Sequence, residues 1–403
     1  MEKLHVIGLG INPDDLSSRL SQIIAQAQVL AGGNRLLEYF TSHPAYKIPL
    51  QSPIKKALAQ VKEKMALGKK VVVLADGDPG FFGIGNLLVK EFQQENLVFH
   101  PNVSTLQAAA ARLKIPWQDI PVISFHGRRD PQPLLNALVA NKRVAVFTDP
   151  DLDPSGISKI LTQRGVDTFN MYVFEELGGD REQIGSFTLE EVAQNKFTPL
   201  NFVILNQTKK PEVKLCLGLD DDLYLHQRGL ITKKEIRALS IAALSLQPHH
   251  ILWDLGAGSG SVAIEASLLL PKGRVLAVER DRQRVIHIRQ NIKRMGAYGV
   301  ELIPNEMPAS LKSLPDPDRI FIGGGIGQDN QVILEAMKRL NPDGKIVLNL
   351  VLMGSLSRTI DIFSSLKWSF SISQVQVSRG TSMGKDQRLN ALNPVFILTA
   401  QKE

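Results

Sequence analysis

Between Ile251 and Glu265 an apolar run (Ile251, Leu252, Trp253) enters a turn with glycine at 256, 258 and 260, and a helical pattern leaves it near Ser261. Strand, glycine turn and helix in that order describe a βα unit of an open α/β sheet, where ligands bind at the carboxyl edge of the strands. Glycine at those positions lets the backbone pass close beneath a ligand. The next strand, Arg274–Glu279, ends in a carboxylate nineteen residues after Gly260. An acid in that register accepts hydrogen bonds from both hydroxyls of a ribose. A glycine-rich turn alone also serves as a merely structural turn; strand, helix and acid together select a nucleoside site. Ser261 stands where the third glycine of the dinucleotide GxGxxG pattern would fall, which argues against a dinucleotide pyrophosphate.

Downstream the chain keeps alternating. Strands are expected at 250–254, 274–279, 300–303, 319–323 and 345–350, and helices at 261–270, 282–294, 329–340 and 355–366. The alternation then stops: Trp368–Val377 and Pro394–Thr399 read as strands separated only by the polar segment Ser378–Asn393. Parallel strands need a crossover, so this helix-free return predicts an antiparallel pair. The D-x-G-x-G-x-G form led by Asp254, with a parallel sheet ending in such a pair, resembles the class I methyltransferases, whose loop holds S-adenosylmethionine (SAM).

Residues 1–208 alternate too, with different turns. His5–Leu9 is an opening strand followed by Gly8, Gly10, Asn12, Pro13 and Asp14, and the strand Val71–Ala75 enters the turn Asp76–Phe82. Further strand-like runs are Pro121–Phe125, Arg143–Phe147 and Asn201–Leu205. None carries the D-x-G-x-G-x-G spacing, so this half is no copy of the other. The polar stretch Asn206–Asp222 interrupts the pattern, and the chain is expected to divide into a domain over 1–208, a linker over 209–222 and a second domain over 223–403.

Composition adds limits. At 403 residues the chain suits two cores. The start MEKLHVIGLG is too short and glycine-rich for a signal peptide, and no apolar run reaches the roughly 18 residues of a membrane helix. The one cysteine, Cys216, leaves no internal disulfide or thiolate cluster and fits a reducing cytoplasm. The eight histidines lack metal-ligand spacing, so no metal is expected. A net charge of +7, spread without a polybasic block, reads as solubility or as preference for a polyanionic partner.

Taken together, the chain resembles the bifunctional precorrin-6 C5,15-methyltransferases (decarboxylating) of cobalamin biosynthesis over nearly its whole length. The N-terminal half is similar to the tetrapyrrole methylases in Gly8–Leu16, Gly77–Phe82, Pro101–Gln107 and Phe125–Arg128; the C-terminal half carries Leu230–Arg237, the SAM loop, Ile320–Gly325 and Asn393–Phe396 of the C15-methyltransferase and decarboxylase. The resemblance implies a two-lobed tetrapyrrole methylase domain followed by a Rossmann-like class I domain, with one SAM site in each. It makes Leu9, Asp76, Asp78, Phe81, Ser104 and Thr105 candidate SAM contacts in the first domain. In the second it points to Thr232, Gly256, Ala257, Gly258, Ser259, Gly260 and Glu279, with Glu306 and Met307 near the adenine. Ser104 and Thr105 read equally as a helix N-cap, and Asp78 as the acceptor of an Asx-turn. At the adenine position Asn305-Glu306-Met307-Pro308 replaces the family's usual Gly-Asp-Ala-Pro, and Asn12 stands where glycine is common.

The implied substrate is a macrocycle edged with carboxylates, which arginine suits because its fork donates two parallel hydrogen bonds. His126, Arg128 and Arg129 are candidates in the first domain, and Arg379, Lys385 and Arg388 in the second; each charge also reads as solvated surface. Ser378–Asn393 is long enough to act as a lid, and His126 is a candidate acid or base or a structural histidine. A homo-oligomer is expected, without nucleic-acid or membrane partners. Two rivals stand beside this reading: a SAM-dependent RNA methyltransferase, which leaves the N-terminal half unexplained and lacks an RNA-reading motif, and a chain in which one half is a non-catalytic SAM-binding scaffold.

Overall fold

The computed structural model describes residues 2–227, 229–324 and 330–402. It divides into two compact units, Met1–Arg129 with Ala145–Ser155 and Met171–Leu205, and Asp130–Val144 with Gly156–Asn170 and Asn206–Glu403. Two segments of the N-terminal half, 130–144 and 156–170, therefore group with the second unit, as does the junction 206–222.

The N-terminal half holds two sheets. One consists of β1 (Leu4–Gly8), β2 (Val29–Gly32), β3 (Tyr46–Pro49), β4 (Val71–Ala75) and β5 (Leu97–His100), all parallel, in the order β3-β2-β4-β1-β5. The central β4 is an unbroken apolar run with every residue buried, as a strand covered on both faces requires. The other has β6 (Val122–Ser124), β7 (Arg143–Phe147), β8 (Phe169–Glu175), β9 (Gln183–Thr188) and β10 (Asn201–Gln207), ordered β6-β7-β10-β8-β9. Five of these ten strands, β2, β3, β5, β8 and β9, have no counterpart among the expected elements.

The second unit is built on a seven-stranded sheet: β11 (Ile251–Leu255), β12 (Arg274–Val278), β13 (Val300–Ile303), β14 (Arg319–Ile322), β15 (Lys345–Leu350), β16 (Ser369–Val375) and, last in the chain, Val395–Gln401. Two short strands, β17 (Ser378–Met383) and β18 (Asp386–Ala391), precede that last strand, β19. The order β13-β12-β11-β14-β15-β19-β16 is parallel up to β15 and antiparallel at β15–β19 and β16–β19, as expected. The helices Ser261–Ser267, Arg282–Met295, Gln331–Arg339 and Met353–Ser365 stand where the alternation places them. Asp329, the expected start of the third, lies outside the described residues. Ser378–Asn393, expected to be strand-free, contains the β17–β18 hairpin, because its strands are polar and exposed and show no apolar alternation.

The second core is organised around one ion pair. Arg237 and Glu265 are both fully buried, on the helices Lys234–Leu244 and Ser261–Ser267, with Arg237 Nε 2.7 Å from Glu265 Oε1. Glu265 also accepts from the N–H groups of Gly218 and Leu219 and from the Tyr224 hydroxyl, at 2.8, 3.1 and 3.0 Å. Arg237 donates to the carbonyls of Leu219 and Thr232 and stacks on the Tyr224 ring. Every strong site on the two charges thus has a partner, the condition under which such a pair survives desolvation. The polar junction of the sequence therefore ends inside a core, with Leu219 and Tyr224 buried.

Replacing Arg237 with methionine leaves Glu265 as an uncompensated buried charge and should cost about 3–5 kcal/mol. Trp253 and Trp368 report on the second unit, and Trp117 on the first. Urea unfolding followed by tryptophan fluorescence should show a lower midpoint for the second unit. An unchanged midpoint contradicts this role for the pair.

Candidate cofactor and substrate sites

In the first unit two turns meet at the carboxyl edge of the parallel sheet. β1 runs into Gly8-Leu9-Gly10 and β4 into Asp76-Gly77-Asp78, and Gly10 and Gly77 exchange backbone hydrogen bonds of 3.4 and 2.9 Å. A Cβ on Gly8 would run into the Gly77 carbonyl oxygen, so glycine there is what lets the turns touch. Beside this junction opens a cavity of about 260 Å³ lined by Asp76, Asp78, Phe81, Ser104, Thr105 and His126 among others. Five of the six first-domain SAM candidates thus share one cavity. Leu9, the sixth, is buried and donates its N–H to the Ala75 carbonyl at 2.9 Å.

The local readings hold alongside the functional ones. Ser104 caps the helix Thr105–Leu113, accepting from Gln107 N, while the Gln107 side chain returns to the Ser104 N–H. Asp78 Oδ1 accepts from Gly80 N at 2.7 Å, an Asx-turn. Asp76 is ion-paired with Arg35, which no sequence pattern pointed to. Phe147 at the end of β7 and the exposed Phe82 also line the cavity, with Phe147 5.7 Å from the Phe82 ring and 6.0 Å from His126. The signal for Phe147 was its place at a strand end before Thr148-Asp149-Pro150. Arg128 and Arg129 are exposed outside the cavity lining, and Arg129 pairs with Asp151.

In the second unit the loop 256–260 has all three glycines at positive φ, +74°, +60° and +75°. The Gly256 and Ala257 N–H groups both donate to the Val278 carbonyl at 3.0 Å, tying the loop to the end of β12. A Cβ on Gly256 would lie 2.6 Å from the Gly324 carbonyl oxygen, so the loop packs directly on the backbone after β14. At Gly258 the same atom would meet nothing nearer than 3.9 Å, leaving clear space above the loop. Gly325, last of the expected Ile320–Gly325 motif, lies outside the described residues.

Glu279 is buried directly after β12. Its Oε2 accepts from Gly258 N at 2.9 Å, and its Oε1 from Arg280 N and Asp281 N at 2.9 and 3.0 Å. The carboxylate is therefore held against the loop. Asn291, fully buried and absent from the sequence reading, donates to the Ser259 carbonyl at 2.9 Å and exchanges hydrogen bonds with the Leu225 backbone. Thr232 is placed by its carbonyl, which takes Arg237 Nη1 at 2.7 Å. Glu306 is exposed and paired with Arg280 at 2.8 Å, and Met307 packs against the core.

Asp254, at the loop's entrance, is 1% exposed. Its Oδ2 accepts from Ala263 N at 3.0 Å, while Oδ1 is buried without a hydrogen-bond partner among the described residues. Burial, with a smaller contribution from the Glu279 charge, pushes its carboxyl up to about 7. A carboxylate fixed against the loop and clear space over positive-φ glycines fit a nucleoside.

Of the second-domain cations, Lys385 in the β17–β18 turn and Arg388 on β18 are exposed and make no ion pair among the described residues. Arg379 differs. Its guanidinium grips Glu235 through Nε at 3.0 Å and Nη2 at 2.6 Å, and Asp221 through Nη2 at 3.1 Å. The structure thus gives it two carboxylate partners of its own.

Comparison with known proteins covers both halves. A model of tetrapyrrole (corrin/porphyrin) methylases matches residues 3–193, and one of a precorrin methyltransferase domain matches 222–402. The chain is 33% identical over 354 residues to a precorrin-6Y C(5,15)-methyltransferase [decarboxylating] of Sinorhizobium sp, covering 86% of this chain and 84% of that one. A probable cobalt-precorrin-6B C(15)-methyltransferase (decarboxylating) of Pyrobaculum calidifontis is 34% identical over 45% of this chain and 95% of its own. Among solved structures, the C-terminal domain of precorrin-6Y C5,15-methyltransferase from Rhodobacter capsulatus matches at 29% identity and a TM-score of 0.42, over 46% of this chain and 98% of that one.

The Asp254 carboxyl makes a signed prediction. Between the ordinary carboxyl value of 3.8 and about 7 the folded chain keeps a proton that the unfolded chain releases. The contribution of this group to stability therefore falls as pH rises through that window. Asp254→Asn should remove the fall, so its stability relative to the parent rises between about pH 4 and about pH 8. Unfolding midpoints at both pH values test this; a difference independent of pH contradicts it.

Proposed function

The chain belongs to the precorrin-6Y C5,15-methyltransferase (decarboxylating) family, and from that premise we propose that residues 1–208 methylate C5 of a precorrin-6B-type macrocycle while residues 223–403 methylate C15 and remove the C12 acetate carboxyl. The product is precorrin-8 or its cobalt form. This family membership replaces the RNA-methyltransferase alternative. The observation that carries the reading is similarity to one C(5,15)-methyltransferase [decarboxylating] over 86% of the chain, more than either half alone could supply.

Each half would hold its own SAM, which when bound supplies an electrophilic methyl group. In the first half Asp76, Asp78, Ser104 and Thr105 line the place for it, with Leu9 beneath and Phe81 beside it. In the second, Gly256–Gly260 form the floor, Glu279 takes the ribose hydroxyls and Thr232 closes one side. Glu306 and Met307 flank the adenine position, where Arg280 already neutralises Glu306. The protein's contribution to methyl transfer is chiefly alignment and exclusion of water.

Decarboxylation breaks the bond between the acetate methylene and its carboxyl carbon. Carbon dioxide leaves, the electron pair passes into the conjugated ring, and a proton completes the new methyl group. Arg388 and Lys385, which make no ion pair among the described residues, are proposed to meet the carboxylate arms in the second half; Arg128, Arg129 and His126 are proposed substrate contacts of the first. His126, which lines the cavity beside Phe147, is proposed as the acid or base of the first half. The soluble enzyme is proposed to work in the cytoplasm as a homo-oligomer; among the described residues no helix is long and apolar enough to cross a membrane.

The division of labour is tested with full-length variants, SAM and precorrin-6B, read by mass. Gly258→Arg places a side chain in the clear space over the loop and should abolish C15 methylation while C5 methylation continues. Asp78→Ala should chiefly impair C5 methylation. If folded Gly258→Arg protein yields the doubly methylated, decarboxylated product at the parent rate, the assignment of chemistry to halves is wrong.

A further inference from the structure

The β17–β18 hairpin leaves the sheet between β16 and β19. Val375 pairs with Val395, and Leu350 with Phe396, so its base lies beside the carboxyl end of β15. β15 runs parallel to β14 and β14 to β11, so this is also the sheet edge that carries the glycine loop. A polar hairpin at that edge has little apolar surface to hold it down. Arg379, the second residue of β17, ties it to the body of the domain.

In an antiparallel pair, directly opposed residues share a face. Arg379 opposes Asn390, Thr381 opposes Arg388 and Met383 opposes Asp386, so Arg379 and Arg388 project from the same face of the hairpin. Arg379 spends that projection on Glu235, at the start of the helix Lys234–Leu244, and on Asp221. The fork on Glu235 is bidentate, which constrains direction as well as distance. Hydrogen bonds to Glu235 and Asp221 hold its guanidinium more firmly protonated than an ordinary arginine, although burial opposes them. Asp221 in turn lies 3.5 Å from Arg237 Nη1, the group that holds the Thr232 carbonyl. The hairpin is thus fastened to the same scaffold that places a proposed SAM contact.

We propose that Arg379 is a positioning residue for the macrocycle: its ion pairs with Glu235 and Asp221 set the hairpin at the cleft edge so that Arg388, on the same face, meets a carboxylate arm. This assignment rests on the function proposed above. Arg379 acts through Arg388 and does not itself hold substrate. Losing the anchor and losing the ligand therefore remove one and the same interaction.

That series relation is measurable. In full-length enzyme with SAM and precorrin-6B, Arg379→Gln and Arg388→Gln should each raise KM for the macrocycle about tenfold, the loss of one charge-assisted contact. Affinity for SAM should stay within about twofold, and the double variant should be no worse than Arg388→Gln alone, the non-additivity expected of coupled groups. Glu235→Gln loosens the same anchor from the other side and should shift KM in the same direction, which covers the case of an unfolded Arg379 variant. Limited trypsin digestion needs no substrate: Arg379→Gln should speed cleavage at Lys385 and Arg388. An unchanged KM, additive KM effects, or a lowered melting temperature with parent KM and parent cleavage would each overturn the assignment. Should the parent enzyme itself leave the macrocycle unmethylated, the proposed function fails instead, and the digestion result still decides whether Arg379 anchors the hairpin.

Discussion

The second half of the molecule depends on a pair of opposite charges in its interior. Arg237 and Glu265 are fully buried, and a pair of this kind adds little net stability compared with a well-packed apolar replacement. What it supplies is placement. Glu265 collects the incoming chain at Gly218, Leu219 and Tyr224, while Arg237 reaches Thr232 and lies near Asp221. The helix that carries Glu265 is the one that leaves the glycine loop. One polar centre therefore fixes the entrance to the domain, the helix that leaves the glycine loop and the backbone of Thr232, a proposed cofactor contact.

The two halves reach the same end, bare backbone at a sheet edge, by different routes. In the first, glycines at 8, 10 and 77 let two turns lie against each other, and the cavity opens beside them. In the second, Gly256 packs on the backbone of Gly324, and Glu279 accepts from the Gly258 N–H inside the loop. The first arrangement has few fixed charges of its own, since Asp76 is neutralised by Arg35. The second holds an acid against the loop and leaves Asp254 with an orphaned oxygen. Binding at the two proposed sites should therefore respond differently to pH and to single substitutions.

Features encoded within a few residues were legible in the sequence. The glycine loop, Glu279 in register, the antiparallel end of the sheet and the turn after Val71–Ala75 all follow from local spacing and apolar runs. Ser104 as an N-cap and Asp78 as an Asx-turn were legible for the same reason. Features that need two distant segments were not. Arg237 and Glu265 are 28 residues apart, and Arg379 and Glu235 are 144 apart, so neither pairing has a sequence signature. Arg379 read as a candidate for a substrate carboxylate or as a solvated charge, because nothing local marks its partners. The β17–β18 hairpin was missed because both strands are polar and exposed, which erases the alternation that reveals a half-buried strand. Asn291, which no local pattern marks, donates to the Ser259 carbonyl from a helix otherwise rich in charge.

The central claim, two independent SAM sites in one chain, is tested most directly by titration calorimetry of the full-length protein with SAM. The account predicts two molecules bound per chain in the parent. In Glu279→Ala one site should weaken by about 1–3 kcal/mol, the loss of charge-assisted hydrogen bonds to ribose, while the other keeps its affinity. One molecule per chain, or two whose affinities both ignore the substitution, would contradict it.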